Sequence, residues 1–463
     1  MFIHKAKICN NTPMLDSFLA KARSWVPTSI FKAINPIYHW ILAFVSACIY
    51  RFPSKHIKII AVTGTKGKSS TVEILNAILE EAGKKTALTN TIRFKIDNVS
   101  KPNLYKMSMP GRGFMQRFLR NAVNKDCEYA ILEMTSQGSI TYRNRFIDLD
   151  MFIFTNISPE HIEAHGSFGN YLSAKVAIAK ELAHSPKKNQ ALIVNGDDPH
   201  ANDFLDIPAD TKISYHADDA KPYEIKNEGL SFTLHKGGTV DQSNHDEART
   251  IAVTSPLSGL FNLYNILAAI NAARNLGISD QIIIRAIEKF GHIAGRVEHI
   301  EAGQDFTVIV DYAHTPDSLE KVYRIFRPNP KAVSASNHDH KIIGILGGTG
   351  GGRDTWKRGE MGRIAESYCD EIILTDEDPY DEDPEQIVND VAGGMSQKKP
   401  TIIMDRRLAI REAINRANKN DVIVITGKGT DPYIMGPNDT KTPWSDANVA
   451  REELEKYLKS KIG

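Results

Sequence analysis

Cysteine is scarce. The chain has four in 463 residues, Cys9, Cys48, Cys127 and Cys369, and no two are spaced as a CxxC pair. That excludes a disulfide-stapled secreted scaffold, argues against a zinc site, and fits a reducing cytoplasm. An excess of one charge is also missing: 57 lysines and arginines face 56 aspartates and glutamates. With no basic groove carrying interleaved aromatics, nucleic-acid binding is not expected. No apolar run reaches the roughly 20 residues of a bilayer-spanning helix. The strongest candidate, "YHWILAFVSACIY" at 38–50, also lacks the cleavage pattern of a signal peptide. It is expected to form a helix packed on the first domain. The alternative is contact with a membrane surface, helped by Lys5, Lys7, Lys21, Arg23 and Lys32 upstream. No internal repeat is evident.

What is present is an alternation of strands and helices. "IKIIAVTG" is β-branched and apolar and ends at Gly64, and "SSTVEILNAILEEAG" continues as an amphipathic helix. "EYAILEMTS", "LDMFIFTNIS" and "NQALIVNGDDP" are further buried-strand candidates, and residues 206–255 read as a hairpin elaboration at the sheet edge. After "GHIAGRVEHI" a second series begins: "FTVIVDYAH", "KIIGILGGTGG", "DEIILTDEDP", "PTIIMD" and "DVIVITGKG". The stretch 328–340 looks like a surface loop. Such alternation predicts mostly parallel sheets with both faces covered. Three parts are expected: a short helical, apolar segment at 1–57, a central domain at 58–294 and a second α/β domain at 295–463.

The loop "GTKGKSS" lacks two of the four residues that the common P-loop places between its first glycine and Gly-Lys. Its chemistry is nonetheless that of a phosphate site. Gly64 and Gly67 let backbone N–H groups approach an anion at a helix N-terminus, Lys68 reaches β- and γ-phosphates, and Ser69 can meet Mg²⁺. A structural turn is the competing reading. Glu133, at the end of "EYAILE", is a hard oxygen ligand suited to Mg²⁺. His161 and His165 stand four apart, either as a helix-face pair or as a zinc site, and no third soft ligand follows. Lys175, taken alone, reads as a solvated helix lysine.

"GTKGKSS" resembles the Gly-Thr-Asn-Gly-Lys-Thr-Thr loop of the Mur ligases, ATP-dependent amide-forming enzymes of peptidoglycan precursor synthesis, and the similarity runs over 58–451. The nearest branch is the MurE type, which adds the third residue of the stem peptide. The resemblance implies a P-loop ATPase central domain with a parallel sheet, followed by a smaller Rossmann-like C-terminal ligase domain. It implies ATP contacts by Gly64, Thr65, Lys66, Gly67, Lys68, Ser69, Ser70, Asn262, Asn265, Arg296, Asp311 and His314. It implies Mg²⁺ ligation by Ser69, Glu133 and His161, with Glu160 where aspartate is usual, and a CO₂-derived carbamate on Lys175. Lys68, Glu133, His161 and Lys175 would then be the catalytic set.

On the substrate side the same resemblance implies muramoyl-peptide contacts at Ser108, Thr135, Ser136 and Arg143. Amino-acid contacts would fall at Arg353, Glu377, Asp378, Tyr380, Gly427 and Asp431, with Lys357 and Arg358 as further phosphate or carboxylate contacts. Diaminopimelate-adding members carry arginine where this chain has Tyr380. The loss of that fork-shaped donor points to an L-lysine-like diamine rather than meso-diaminopimelate. Only 1–57 precede the ATPase core, where the branch has a uridine-binding domain, so a lipid-linked or otherwise bound acceptor is an alternative to a UDP-linked one. The chain is expected to act as a cytoplasmic monomer. The competing functions are a folylpolyglutamate-synthase- or cyanophycin-synthetase-like ligase, and a non-catalytic Mur-type nucleotide-binding subunit.

Overall fold

The computed structural model describes residues 28–111, 113–160, 165–235, 250–327, 340–352 and 354–462. His161, Arg353 and nearly all of the 328–340 loop lie outside the described residues. The first described element is helix α1 (Thr28–Ile49). Ser46 and Ala47 are buried, while Trp40 and Phe44 set their rings 5.4 Å from that of Phe146. The helix is therefore packed on the neighbouring domain, as its apolar sequence predicts. Its other face is apolar too: Ile37, Ile41, Val45 and Ile49 form an exposed stripe at one-turn spacing.

Strands β1 (Lys58–Thr63), β2 (Thr86–Thr89), β3 (Arg93–Ile96), β4 (Val99–Pro102), β5 (Tyr129–Glu133), β6 (Met151–Phe154), β7 (Ala191–Asn195) and β8 (Thr211–Tyr215) build one sheet. Its order is β4-β3-β2-β5-β1-β6-β7-β8. The β2-to-β8 part is parallel, and β3 and β4 add an antiparallel edge. Along β1, Ile60 and Val62 enter one apolar core while Ile59 and Ala61 enter the other. Both parities are apolar because helices cover both faces. The chain leaves β1 to build one side of the sheet and returns to its other side with β6. That reversal opens a crevice at the carboxyl ends of β5, β1 and β6.

The 206–255 stretch departs from expectation. Only β8 extends the large sheet. The strands β9 (Tyr223–Lys226), β10 (Gly229–His235) and β11 (Thr250–Ser255) form a separate antiparallel sheet. Leu230, Phe232, Leu234 and Val253 are its buried side chains and join the core of the long helix that follows, Leu260–Asn275.

The second series folds as β12 (Glu298–His299), β13 (Thr307–Asp311), β14 (Ile342–Leu346), β15 (Glu371–Leu374), β16 (Thr401–Ile402) and β17 (Val422–Thr426), ordered β12-β13-β17-β14-β15-β16. All pairs are parallel except β12 with β13. All five strands expected from the sequence are present, and apolar cores again lie on both faces. Behind this sheet Arg406 and Asp446 form a fully buried two-pronged ion pair at 2.7 and 2.8 Å. Arg406 also donates to the Thr426 carbonyl, so the desolvated guanidinium keeps several acceptors.

Candidate active site

The phosphate loop joins β1 to helix α2 (Lys68–Glu81) in the sheet crevice. Gly67 adopts φ +81°, and a Cβ there would lie 2.2 Å from Asn265 Oδ1, so both the turn and the packing behind it require glycine. Asn265 donates to Asn262 at 3.2 Å and accepts from Thr71, and Asn262 donates to the Ser258 carbonyl. Both amides are thus buried behind the loop and hold its shape. The opposite side is braced by the end of β6. Thr155 donates to the Lys66 carbonyl at 2.7 Å, and Asn156 bonds both the N–H and the C=O of Lys66.

Glu133 ends β5, the strand beside β1, so its carboxylate reaches the start of α2. One oxygen accepts from Ser69 Oγ at 2.6 Å and from the Thr91 N–H at 3.2 Å; the other accepts from Ser108 Oγ at 2.7 Å. Lys68 is half-buried and donates to the Thr65 carbonyl at 2.8 Å. Burial lowers its pKa, against the raising effect of Glu133 and Glu160. Ser70 is buried beside it in the first turn.

Lys175 comes from helix α3 (Phe168–His184), yet it is 2% exposed. A solvated lysine it is not. Its ammonium position lies 2.7 Å from the Gly64 carbonyl and 4.8 Å from the centre of the Tyr171 ring. Burial first, and then the charge of Lys68, hold its pKa well below the usual lysine range. Tyr171 also meets Thr65 Oγ1 at 3.2 Å. Lys66 pairs with Glu160 at 2.9 Å, and His165 meets Ser136 at 3.1 Å. Thr135 caps a short helix, accepting from the Gly138 N–H, and Arg143 donates to the Met109 carbonyl. His39 of α1 lies close enough to Arg143 for that charge to lower its pKa, after burial. Helix α1 therefore borders this part of the crevice.

The second domain faces the loop. His314 Nε2 stands 3.6 Å from Glu160, and the Arg296 guanidinium lies 4.6 Å from the centre of the Tyr312 ring. Asp311 gives one oxygen to the Val297 N–H and the other to the Ala313 N–H, at 2.7 and 2.6 Å. It fixes the backbone where the domains join. Deeper in the domain Glu377 accepts from Thr349 through one oxygen, while the other is buried with no hydrogen-bond partner. Gly427 lies against it: at φ +106°, a Cβ there would be 2.2 Å away. Asp378 and Asp431 share Lys428 and Lys106. Arg358 is engaged by Glu382 and Asp390, at 2.7 and 2.9 Å. Tyr380 stands at φ +53° with its N–H on the Met435 carbonyl.

Residues 62–273 match the Mur ligase middle domain, and 295–429 match the Mur ligase glutamate ligase domain. The chain is 34% identical over 426 residues to a UDP-N-acetylmuramoyl-L-alanyl-D-glutamate–2,6-diaminopimelate ligase of Syntrophomonas wolfei, covering 90% of this chain and 82% of that one. The chain belongs to the Mur ligase family. A UDP-N-acetylmuramyl-tripeptide synthetase of Treponema denticola is also 34% identical, covering 89% of this chain and 78% of its own length. A solved diaminopimelate ligase is 28% identical, with a TM-score of 0.58 over 87% of this chain and 79% of that one. A folylpolyglutamate synthase of Mycobacterium tuberculosis superposes with a TM-score of 0.64 over 84% of this chain and 93% of that one; at 16% identity this is a likeness of fold. Like other Mur ligases, this one is an ATP-dependent enzyme that forms amide bonds.

In this Mur ligase the loop residues, Glu133 and Lys175 meet around one crevice. Several of its neighbours were not signalled by the sequence. Thr155 and Asn156 sit in a strand end that reads as ordinary, and Thr91 reaches Glu133 through a turn. Lys106 approaches the acidic pair from a segment remote in the chain.

Proposed function

We propose that this Mur ligase joins a diamino acid to the terminal carboxylate of a muramoyl dipeptide, using ATP to form an acyl phosphate. The observation that carries the reading is the pairing of two sites across one gap. A phosphate loop with Lys68, Ser69, Glu133 and Lys175 faces a second domain whose His314 reaches Glu160 and whose Glu377 keeps one buried oxygen without a hydrogen-bond partner.

In this mechanism Lys68 and the first N–H groups of α2 hold the triphosphate and gather charge as the acceptor carboxylate attacks the γ-phosphorus in line. Ser69 and Glu133 fit a Mg²⁺ ion: both are hard oxygen donors converging within 2.6 Å, and that ion takes few protein ligands beside phosphate and water. When bound it would neutralise the oxygens of the transferring phosphoryl group. Lys175 fits carbamylation: burial lowers the pKa of its amine, which favours the neutral form that adds CO₂ with loss of one proton. The resulting anion would lie near Lys68 and oppose its positive charge. Closure of the second domain excludes water until the amine attacks the acyl phosphate and releases inorganic phosphate.

The added amine is proposed to be L-lysine-like. The Syntrophomonas wolfei relative is named for 2,6-diaminopimelate, whose distal carboxylate calls for a fork-shaped donor. Here Tyr380 occupies that motif position, and Arg358 is already engaged by Glu382 and Asp390. Ligation assays with UDP-muramoyl-Ala-Glu, ATP and the two amines in competition should give mainly the lysine product. Preference for diaminopimelate ends the choice of amine. Phosphate release that depends on no amine at all ends the ligase assignment to this substrate class.

The acceptor is proposed to be presented at an anionic membrane surface. Residues 1–57 carry seven lysines and arginines against one aspartate, and α1 exposes its apolar stripe beside Arg143. No described helix is long and apolar enough to cross a membrane, so the fit is to an interfacial helix. Ile41→Glu with Val45→Glu should abolish flotation with vesicles containing anionic lipid, with ATP turnover kept. Equal flotation of variant and parent, or none by the parent, removes the membrane role.

A further inference from the structure

The acidic pair of the second domain is already filled by a cation from the first. Asp378 and Asp431 are held from within their own domain by Lys428, at 2.7 and 3.4 Å, and Lys428 is 1% exposed. Two carboxylates and one fixed ammonium leave one negative charge. Lys106, from the loop after β4, supplies the missing cation at 3.0 Å from Asp378 and 2.9 Å from Asp431.

The delivery is built into the loop. Lys106 has φ +54°, a left-handed conformation that a lysine adopts only when its surroundings impose it. The Asn103 side chain donates to the Asn90 and Met107 carbonyls and accepts from the Tyr105 N–H, clamping the loop on both sides of Lys106. Tyr105 packs its ring on Phe94 and Phe114. Next to the pair, the second oxygen of Glu377 is buried with no donor on it, although Glu377 is only 3% exposed. Such a group calls for a ligand that brings a hydrogen-bond donor.

We propose that Lys106 is a tethered stand-in for the amine substrate: its ammonium occupies the subsite formed by Asp378 and Asp431, and an ammonium group of the incoming amino acid must displace it. The inference rests on the ligase reading above and adds to it a residue that sets amine affinity. Lys106 enters from the opposite domain and keeps a fifth of its side chain exposed, whereas Lys428 is sealed in. Lys106 is therefore the cation that can leave. Its pKa is pushed up to about 12: burial opposes the charged form, and Asp431 followed by Asp378 outweighs it. Lys106 thus competes as a full cation at every physiological pH. A subsite that is self-occupied nine-tenths of the time weakens apparent binding about tenfold.

The test is calorimetric titration of L-lysine into the full chain with ADP bound, repeated for Lys106→Met and Lys106→Asn, asparagine being at ease in the left-handed conformation. Both variants should bind lysine about tenfold more tightly than the parent. In turnover they should lower KM for lysine by the same factor and leave KM for ATP within twofold. Unchanged or weaker binding, or no binding by parent and variants alike, overturns the proposal. A parent that binds lysine but forms no product would indict the acceptor assignment instead, and the binding comparison would still decide the role of Lys106. Retained thermal stability in the asparagine variant separates loss of charge from loss of fold.

Discussion

Lys175→Ala should lower the rate of amide formation about a thousandfold, the scale of removing a preorganised charged group from a buried site. Among the described residues its ammonium meets the Gly64 carbonyl of the phosphate loop, and the residue is 2% exposed. An alanine there deletes the amine to which CO₂ would add and leaves room for a small carboxylate. Acetate or propionate at millimolar concentration should therefore restore part of the lost rate, and neither should stimulate the parent. The carbamate itself should appear as a ¹³C resonance on supplying labelled bicarbonate to the parent and be missing in the variant. The pH dependence has a definite sign. Burial and Lys68 depress the Lys175 pKa, so the amine stays neutral below the pH at which an exposed lysine would protonate. Activity should fall in acid as the amine takes up a proton, and added bicarbonate should move that acidic limb to lower pH. Full turnover by Lys175→Ala without any carboxylate would remove the carbamate from the mechanism.

Lys68→Met should cost about a thousandfold in kcat, near 4 kcal/mol of transition-state stabilisation. The methionine keeps most of the buried volume and removes only the ammonium, so the loss reads the charge. Because Lys68 is also the largest charge-based cause of the lowered Lys175 pKa, the variant should require more bicarbonate to reach its residual rate. The informative comparison is kcat against KM. A rise in KM for ATP at unchanged kcat would mean that Lys68 grips the bound nucleotide equally before and during transfer, which ends its transition-state role. Rapid-quench measurement of ADP formation in a single turnover distinguishes the two outcomes without interference from product release.

The strand series was legible because β-branched runs ending in glycine or acid mark buried parallel strands, and β1, β5, β6, β7 and β13 to β17 lie where those runs fall. The crevice was legible for a related reason. A shortened glycine loop followed by Lys-Ser fixes a strand, a turn and a helix N-terminus at once. Pairing of β5 beside β1 then carries Glu133 to it. The sequence was silent where side chains meet by tertiary packing alone. Lys106 and Asp378 are 272 positions apart, and nothing in "NLYKMS" distinguishes that lysine from a solvated one. Asn262 and Asn265 were expected to face nucleotide, but helical spacing says only that they share a side. Their amides are engaged by Ser258, Thr71 and each other. The sheet of β9 to β11 reads as an edge hairpin in the sequence because alternation reveals a half-buried strand and not the layer it packs on.

Ser108 fastens its loop to Glu133 two residues after Lys106, and Glu133 is the same carboxylate that receives Ser69 at the head of α2. A Glu133 engaged by the Mg²⁺ of a bound nucleotide would no longer serve both hydroxyls in their present geometry. The anchor of the lysine arm would then loosen as the triphosphate settles. Such a linkage would favour one order of arrival, nucleotide first and amine last, so that no nucleophile waits in the cleft before there is an activated carbonyl for it to meet.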